Sequence, residues 1–393
     1  MKTIKDPIHG SLQLKNHEIQ VLDTYEMQRL RNIKQLGFTY FVYPSATHTR
    51  FEHSLGTFYL ASKLAGNLEL NDSETDKLRL AALLHDVGHG PFSHGSEEAL
   101  KLHNPEVARH EENTVELVKK SKISDILKEN GFKPKEIAEI ATGKKGVLSD
   151  IISGQIDVDR MDYLVRDSYY TGAAYGVIDL ERLLETLSIR KRKLAVEPDG
   201  LFSAEALLLA RYLMYPTVYQ HHTGRIIHSM YSEAISECLE DGIFTVSELY
   251  EMDDISAVST IRKLETFPGD LMNRIEKRDL YKSAATFKKS DLNDPDKLLN
   301  LSPSKLKALQ IEISESADLK KGDVLLDVPK SFLSEVAGMK VYKDKKLREL
   351  QEVSPLAESL IEAQWTQWYA GVYCSKENVE KVKKSAENIL PAF

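Results

Sequence analysis

An almost wholly apolar run, Leu78-Arg79-Leu80-Ala81-Ala82-Leu83-Leu84, passes without a break into His85-Asp86-Val87-Gly88-His89-Gly90-Pro91-Phe92-Ser93-His94. The run predicts a buried helix, and Asn71-Asp72-Ser73-Glu74 before it predicts the cap that starts it. Glycines and a proline then stop the helix and open space at its end. A His-Asp pair carries no weight alone, but titratable side chains that abut a buried stretch must find partners there. A divalent cation is an effective one.

Of the chain's 12 histidines, seven (His48, His53, His85, His89, His94, His103 and His110) fall between residues 48 and 110. Imidazoles and carboxylates without cysteine suit Fe, Mn, Co, Ni or Zn and leave positions for water and phosphate, with Mg accompanying the phosphates. His85 and Asp86 are candidate ligands, joined by His53 at the start of an apolar helical stripe and by one carboxylate of Asp157, Asp159 or Asp162. Spacing leaves that choice open. Asp159 and Asp162 share a helical face, whereas Asp157 could cap the helix that follows.

Elsewhere, residues 5–14 read as a hairpin or extended arm. Helical periodicity dominates from Leu22 to about Leu239, and Pro216 is expected to kink or divide the long stretch from Ser203. Residues 188–196 read as one strand leading into the turn Pro198-Asp199-Gly200, and 323–329 as another strand. The expected fold is mainly α, an all-helical catalytic core with a small β-hairpin element and a smaller mixed α/β C-terminal region. Domains are expected over 1–270 and 271–393, the second serving oligomerisation or regulation.

The formal charge of −8, with no basic block longer than Arg190-Lys191-Arg192-Lys193, argues against nucleic-acid or anionic-membrane partners. Cys238 and Cys374 are too few for a disulfide framework and read as buried apolar-like residues in a reducing, cytoplasmic setting. No apolar leader or eighteen-residue apolar stretch is present, so neither secretion nor membrane spanning is expected.

Four motifs occur in one order: Thr49-Arg50-Phe51-Glu52-His53-Ser54-Leu55-Gly56, the His85–His94 segment, His110-Glu111, and Ile156-Asp157-Val158-Asp159-Arg160-Met161-Asp162-Tyr163. Together they resemble the HD-domain phosphohydrolases, most of all the deoxynucleoside triphosphate triphosphohydrolase group. The similarity runs from Asp6-Pro7-Ile8-His9-Gly10 through Tyr219-Gln220-His221.

The resemblance implies that His53, His85, Asp86 and Asp159 hold the metal. It implies that His110 protonates the leaving 5′-oxygen while His89 and His94 orient phosphate. Arg50, Arg160, Tyr163 and Arg211 match phosphate-contacting positions, Gln35, Leu36 and Asp167 match positions that read the sugar 3′-hydroxyl, and Tyr219 and Gln220 lie near sugar and base. Asp23, Gln28 and Arg31 match a site for an activating guanine nucleotide, GTP or dGTP, at a subunit interface of a homo-oligomer, dimer or tetramer. Arg160 stands where the family often has lysine, and Tyr215 where it often has histidine. His48, His103, His221, His222 and His228 read as packing or surface residues.

The implied reaction is hydrolysis of deoxynucleoside triphosphates to deoxynucleoside and inorganic triphosphate. Two other readings share the site: an HD phosphatase acting on nucleoside monophosphates or another phosphoester, and a nucleotide-sensing or nucleic-acid-binding regulator on an HD scaffold.

Overall fold

The computed structural model describes residues 2–103, 109–329 and 338–393. The fold is mainly α-helical, as expected, with three small sheets among the described residues. Among the described residues nine strands occur in chain order: β1 Lys2–Asp6, β2 Gly10–Leu14, β3 Leu187–Arg190, β4 Lys193–Val196, β5 Lys282–Lys288, β6 Val324–Asp327, β7 Lys340–Lys343, β8 Lys346–Glu349 and β9 Tyr369–Cys374. Two compact units divide the chain, each assembled from separated segments.

The first unit comprises Met1–His89, Arg109–Tyr219 and Leu333–Glu362. The apolar run forms the helix Asp72–Leu84, whose first turn is closed by Asn71 accepting the Glu74 amide at 3.0 Å. Leu78, Leu80, Leu83 and Leu84 are all fully buried, so the second half of the helix is enclosed on nearly every side. Arg79, its one charged residue in that run, is tolerated because it grips the buried Glu18 carboxylate at 2.6 and 2.8 Å and lies over the Phe58 ring. The helix Arg50–Asn67 packs against it, and Val158–Thr171 packs on Arg50–Asn67 in turn.

β1 and β2 form the expected N-terminal hairpin. The single strand expected over 188–196 is instead two antiparallel strands, β3 and β4, within a four-stranded sheet ordered β3-β4-β7-β8. Lys191 and Arg192 make the turn with φ of 50° and 63°. Residues other than glycine or asparagine seldom take that conformation, so the usual sequence signal of a hairpin is missing here. At Pro216 the helix Leu201–Met214 gives way to a π turn, Tyr215–Tyr219, and a new helix runs His222–Glu240.

The second unit comprises Gly90–Ala108, Gln220–Phe332 and Ala363–Phe393. Its sheet has the order β5-β9-β6, wholly antiparallel, with β6 at the position expected for a strand. Helices Pro303–Ser316 and Val379–Ile389 bury Leu309, Ile313, Val382 and Ala386 in one core with Val324 and Val372 of the sheet. Arg225 ties His222–Glu240 to this sheet through Asp327 at 2.6 Å and the Tyr369 ring. Cys238 and Cys374 are free and buried, and burial pushes both thiols up to about 12. No helix among the described residues is long and apolar enough to cross a membrane.

Candidate active site

The first unit brings the motifs together at the ends of three helices. Thr49 caps Arg50–Asn67 in a reciprocal box with Glu52, which sets Arg50 and His53 in the first turn. Asp157 caps Val158–Thr171 by accepting the Arg160 amide at 2.8 Å, so of the three carboxylates left open by spacing it is the one used to start the helix. Asp159 and Asp162 then lie on one face. His85 follows the last residue of Asp72–Leu84, and its Nδ1 donates to Ala82 O at 2.8 Å.

Four side chains converge there. His53 Nε2 lies 3.3 Å from His85 Nε2 and 2.9 Å from Asp159 Oδ1. His85 Nε2 lies 3.4 Å from Asp86 Oδ1 and 3.8 Å from Asp159 Oδ1. His53 Nδ1 donates to Asp162 Oδ2 at 2.8 Å, so both imidazoles are held from behind and present Nε2 to the same point. A divalent ion would take both facing ring nitrogens and both carboxylates as ligands at once. The donor set fits such an ion. Burial alone would depress His53, but hydrogen bonds to Asp159 and Asp162 carry it up to about 10. Asp159 is held well below the carboxylate range by His53 and His85 despite its burial.

Asp162 is itself fully buried and saturated. Its carboxylate takes His9 Nε2 at 2.6 Å and Arg166 at 2.8 and 3.0 Å, and Arg166 reaches Asp6 at 2.9 Å. The residues joined lie about 150 positions apart, which hid this network in the sequence. The one available signal was the pairing of Asp162 and Arg166 at i, i+4 on the helix that carries Asp159. Gly56 leaves room for it, since a Cβ there would lie 1.9 Å from Asp162 Oδ1.

A second cluster adjoins the first. Arg50 grips Asp86 Oδ2 at 2.5 Å, and Asp86 Oδ1 lies 3.3 Å from His89 Nε2. The His89 and His110 rings stack at 3.8 Å. Burial, with Arg50 and His110 adding to it, holds His89 well below the usual histidine range, so it stays neutral at physiological pH. His110 is placed by the start of its helix, His110–Lys120, which is pinned to the His-Asp turn. Gly88 N donates to Thr114 Oγ1, Asn113 Nδ2 donates to Gly88 O at 2.8 Å, and a Cβ on Gly88 would lie 2.3 Å from His110 O.

Beside these, the Tyr163 ring stands 6.5 Å from His53 and 6.1 Å from Tyr219. Burial raises both phenols, and the nearby Arg211 charge acts against that rise on each. Tyr219 donates to Asp167 Oδ2 at 2.8 Å. Arg160 is ion-paired with Asp157 and donates to Gly154 O. The Gln35 backbone N–H donates to His48 O at 3.0 Å, and Leu36 begins the short turn Gly37–Phe41.

His94 and Gln220 belong to the second unit, where His94 is largely exposed with Nδ1 3.3 Å from Glu97. Asp23 is exposed at the end of the helix Asn16–Leu22, while Arg31 Nε donates to Gln28 Oε1 at 2.8 Å and lies over the Phe51 ring. Of the histidines read as packing or surface residues, His221 caps His222–Glu240 and His228 pairs with Glu98. The His103 side chain lies outside the described residues.

Fold and site together define a class. Residues 50–167 match the HD domain and residues 178–392 match the HD associated region, so the chain belongs to the HD-domain family of metal-dependent phosphohydrolases. It is similar to an uncharacterised protein of Methanocaldococcus jannaschii, 38% identical over 98% of this chain and 82% of that protein. It is also similar to the deoxynucleoside triphosphate triphosphohydrolase SAMHD1 of Bos taurus, 30% identical over 84% of this chain and 66% of that protein. Among solved structures, a phosphohydrolase from Bacteroides thetaiotaomicron covers 95% of this chain and 99% of its own with a TM-score of 0.74 and 25% identity.

Proposed function

We propose that the protein hydrolyses deoxynucleoside triphosphates to deoxynucleoside and inorganic triphosphate. One observation carries the reading: the stacked His89–His110 pair shares the Asp86 carboxylate with the His53–His85 cluster, so a proton donor and a metal-binding cluster serve one point. His53, His85, Asp86 and Asp159 would hold a divalent transition metal. When bound, the ion supplies Lewis-acid polarisation of the α-phosphate and a lowered pKa for water, with Mg accompanying the outer phosphates.

The chain's own residues supply the rest. As water's oxygen joins the α-phosphorus and the P–O5′ bond breaks, the departing oxygen takes the proton of His110. His89, kept neutral, lends a hydrogen bond without competing for that proton. Arg50, Arg160, Arg211 and Tyr163 spread charge-assisted bonds over the polyphosphate. Asp167 and Gln35, with Leu36 beside them, read the 3′-hydroxyl, while Tyr219 meets the sugar. A guanine nucleotide at Asp23, Gln28 and Arg31 would activate a homo-oligomer.

The test is to incubate metal-loaded protein with each of the four deoxynucleoside triphosphates, with and without GTP, and to identify the inorganic product. Triphosphate supports the reading. Orthophosphate from a monophosphate, with no triphosphate from any deoxynucleotide, replaces it with the phosphatase, and binding without turnover replaces it with a regulator.

A further inference from the structure

Three residues matched to the sugar end of the substrate, Gln35, Asp167 and Tyr219, are far apart in the chain, yet one residue links them, bonding Gln35 through its backbone and Asp167 through its side chain. His48 is buried, its side chain 0% exposed, and its Nε2 lies 2.8 Å from Asp167 Oδ1. The other oxygen, Oδ2, takes the Tyr219 hydroxyl at 2.8 Å. Both oxygens of a carboxylate that is 1% exposed are thus fixed, one by each partner. Because a carboxylate accepts, His48 Nε2 carries the hydrogen, and Nδ1 is left buried with no hydrogen-bond partner.

His48 cannot turn to relieve that cost. Its backbone carbonyl accepts the Gln35 amide at 3.0 Å, and Lys34 and Thr49 pair on either side of that bond as a short antiparallel bridge. Its ring stacks on Tyr170 at 4.5 Å and 23°, and Tyr170 is anchored by donating to Glu52 Oε1 at 3.0 Å. A packing histidine needs none of this, and apolar rings fill such places without leaving a ring nitrogen unpaired. Gln35 Oε1 is likewise buried with no partner.

We infer that His48 is a positioning residue for sugar recognition: it fixes the Asp167 carboxylate, between Gln35 and Tyr219, at the angle needed to accept the substrate's 3′-hydroxyl. The inference rests on the proposed triphosphohydrolase reading. Its consequence is selective. Loss of the His48 hydrogen bond weakens only substrates that carry a 3′-hydroxyl, whereas a structural defect weakens every substrate alike.

The experiment measures triphosphate release by the metal-loaded full chain from a deoxynucleoside triphosphate and from the matching 2′,3′-dideoxynucleoside triphosphate, with GTP present. His48→Phe keeps the stack on Tyr170 and removes the donor, and His48→Gln restores an N–H near the Nε2 position. In His48→Phe, kcat/KM for the deoxynucleotide is expected to fall about tenfold or more through KM, with the dideoxynucleotide within about twofold of wild type and His48→Gln recovering most of the loss. An equal fall for both substrates, or none for either, overturns the inference alone. No triphosphate from wild-type protein with any deoxynucleotide overturns the proposed function and this inference with it.

Discussion

Asp162 Oδ2 accepts from His53 Nδ1 at 2.8 Å, and the same carboxylate takes His9 from the turn after β1 at 2.6 Å and Arg166 in a fork. The N-terminal hairpin is thereby tied to the back of an imidazole proposed to bind the metal. Replacing Asp162 leaves the fully buried Arg166 guanidinium with Asp6 as its remaining carboxylate partner and removes the bond that orients the His53 ring. Asp162→Ala is expected to cost about 3–5 kcal/mol in denaturant unfolding. Its affinity for Mn, read by titration of the folded protein, is expected to fall about 10–100-fold. Unchanged affinity in the folded variant removes Asp162 as the residue that orients His53.

Two glycines on the helix Arg50–Asn67 separate this effect from helix propensity. A Cβ at Gly56 would lie 1.9 Å from Asp162 Oδ1 and 2.4 Å from Arg166, whereas one at Gly66 meets nothing within 4 Å. Gly56→Ala must push the ion pair apart and is expected to lose about 3 kcal/mol or more. Gly66→Ala is expected to gain about 0.5–1 kcal/mol. Thermal unfolding of the two variants checks both signs, and a Gly56→Ala protein as stable as Gly66→Ala contradicts the tight packing of the network.

Local chemistry was legible in the sequence where one segment carries its own signal. The cap at Asn71, the buried helix ending at His85, the break at Pro216 and the strand now seen as β6 all depend on neighbours within a few residues. The β3–β4 turn escaped because Lys191 and Arg192 take positive φ without glycine. The Asp6–Arg166–Asp162–His9 network and the His48–Asp167 pair escaped for a different reason. Each joins residues more than 100 positions apart, and a histidine carries no mark of whether its partner is water, metal or a buried carboxylate. Among Asp157, Asp159 and Asp162, helix geometry separated the cap from the other two only once the helix start was known.

The elevated His53 makes ion binding a proton-coupled event. Burial opposes its charge, but Asp159 and Asp162 raise it to about 10, above the unfolded value of about 6.5. In ion-free protein, the stability contributed by protonated His53 is fully present below about pH 6.5 and is lost as pH rises through about 10. A metal must displace that proton, so its apparent affinity is expected to climb by up to about tenfold per pH unit across this window. Calorimetric titration in two buffers of different ionisation enthalpy reads the proton count directly. Release of no proton at pH 7.5 contradicts a His53 that is protonated before the ion binds.

His110 and Asp159 should fail in different ways. Asp159 faces both His53 and His85, so Asp159→Ala is expected to lose bound metal and activity together. The His110 helix is anchored by Asn113 and Thr114 on the Gly88 turn, contacts that do not involve the His110 ring. His110→Ala therefore keeps its metal, and its rate of triphosphate release is expected to fall about 10²–10⁴-fold. The proton matters only where the departing oxygen is a poor leaving group. An analogue that releases p-nitrophenolate needs none, so it should lose far less in His110→Ala than a deoxynucleotide does. A variant with wild-type metal content and equal losses on both substrates would assign His110 to phosphate binding and leave the leaving oxygen to be protonated by another group.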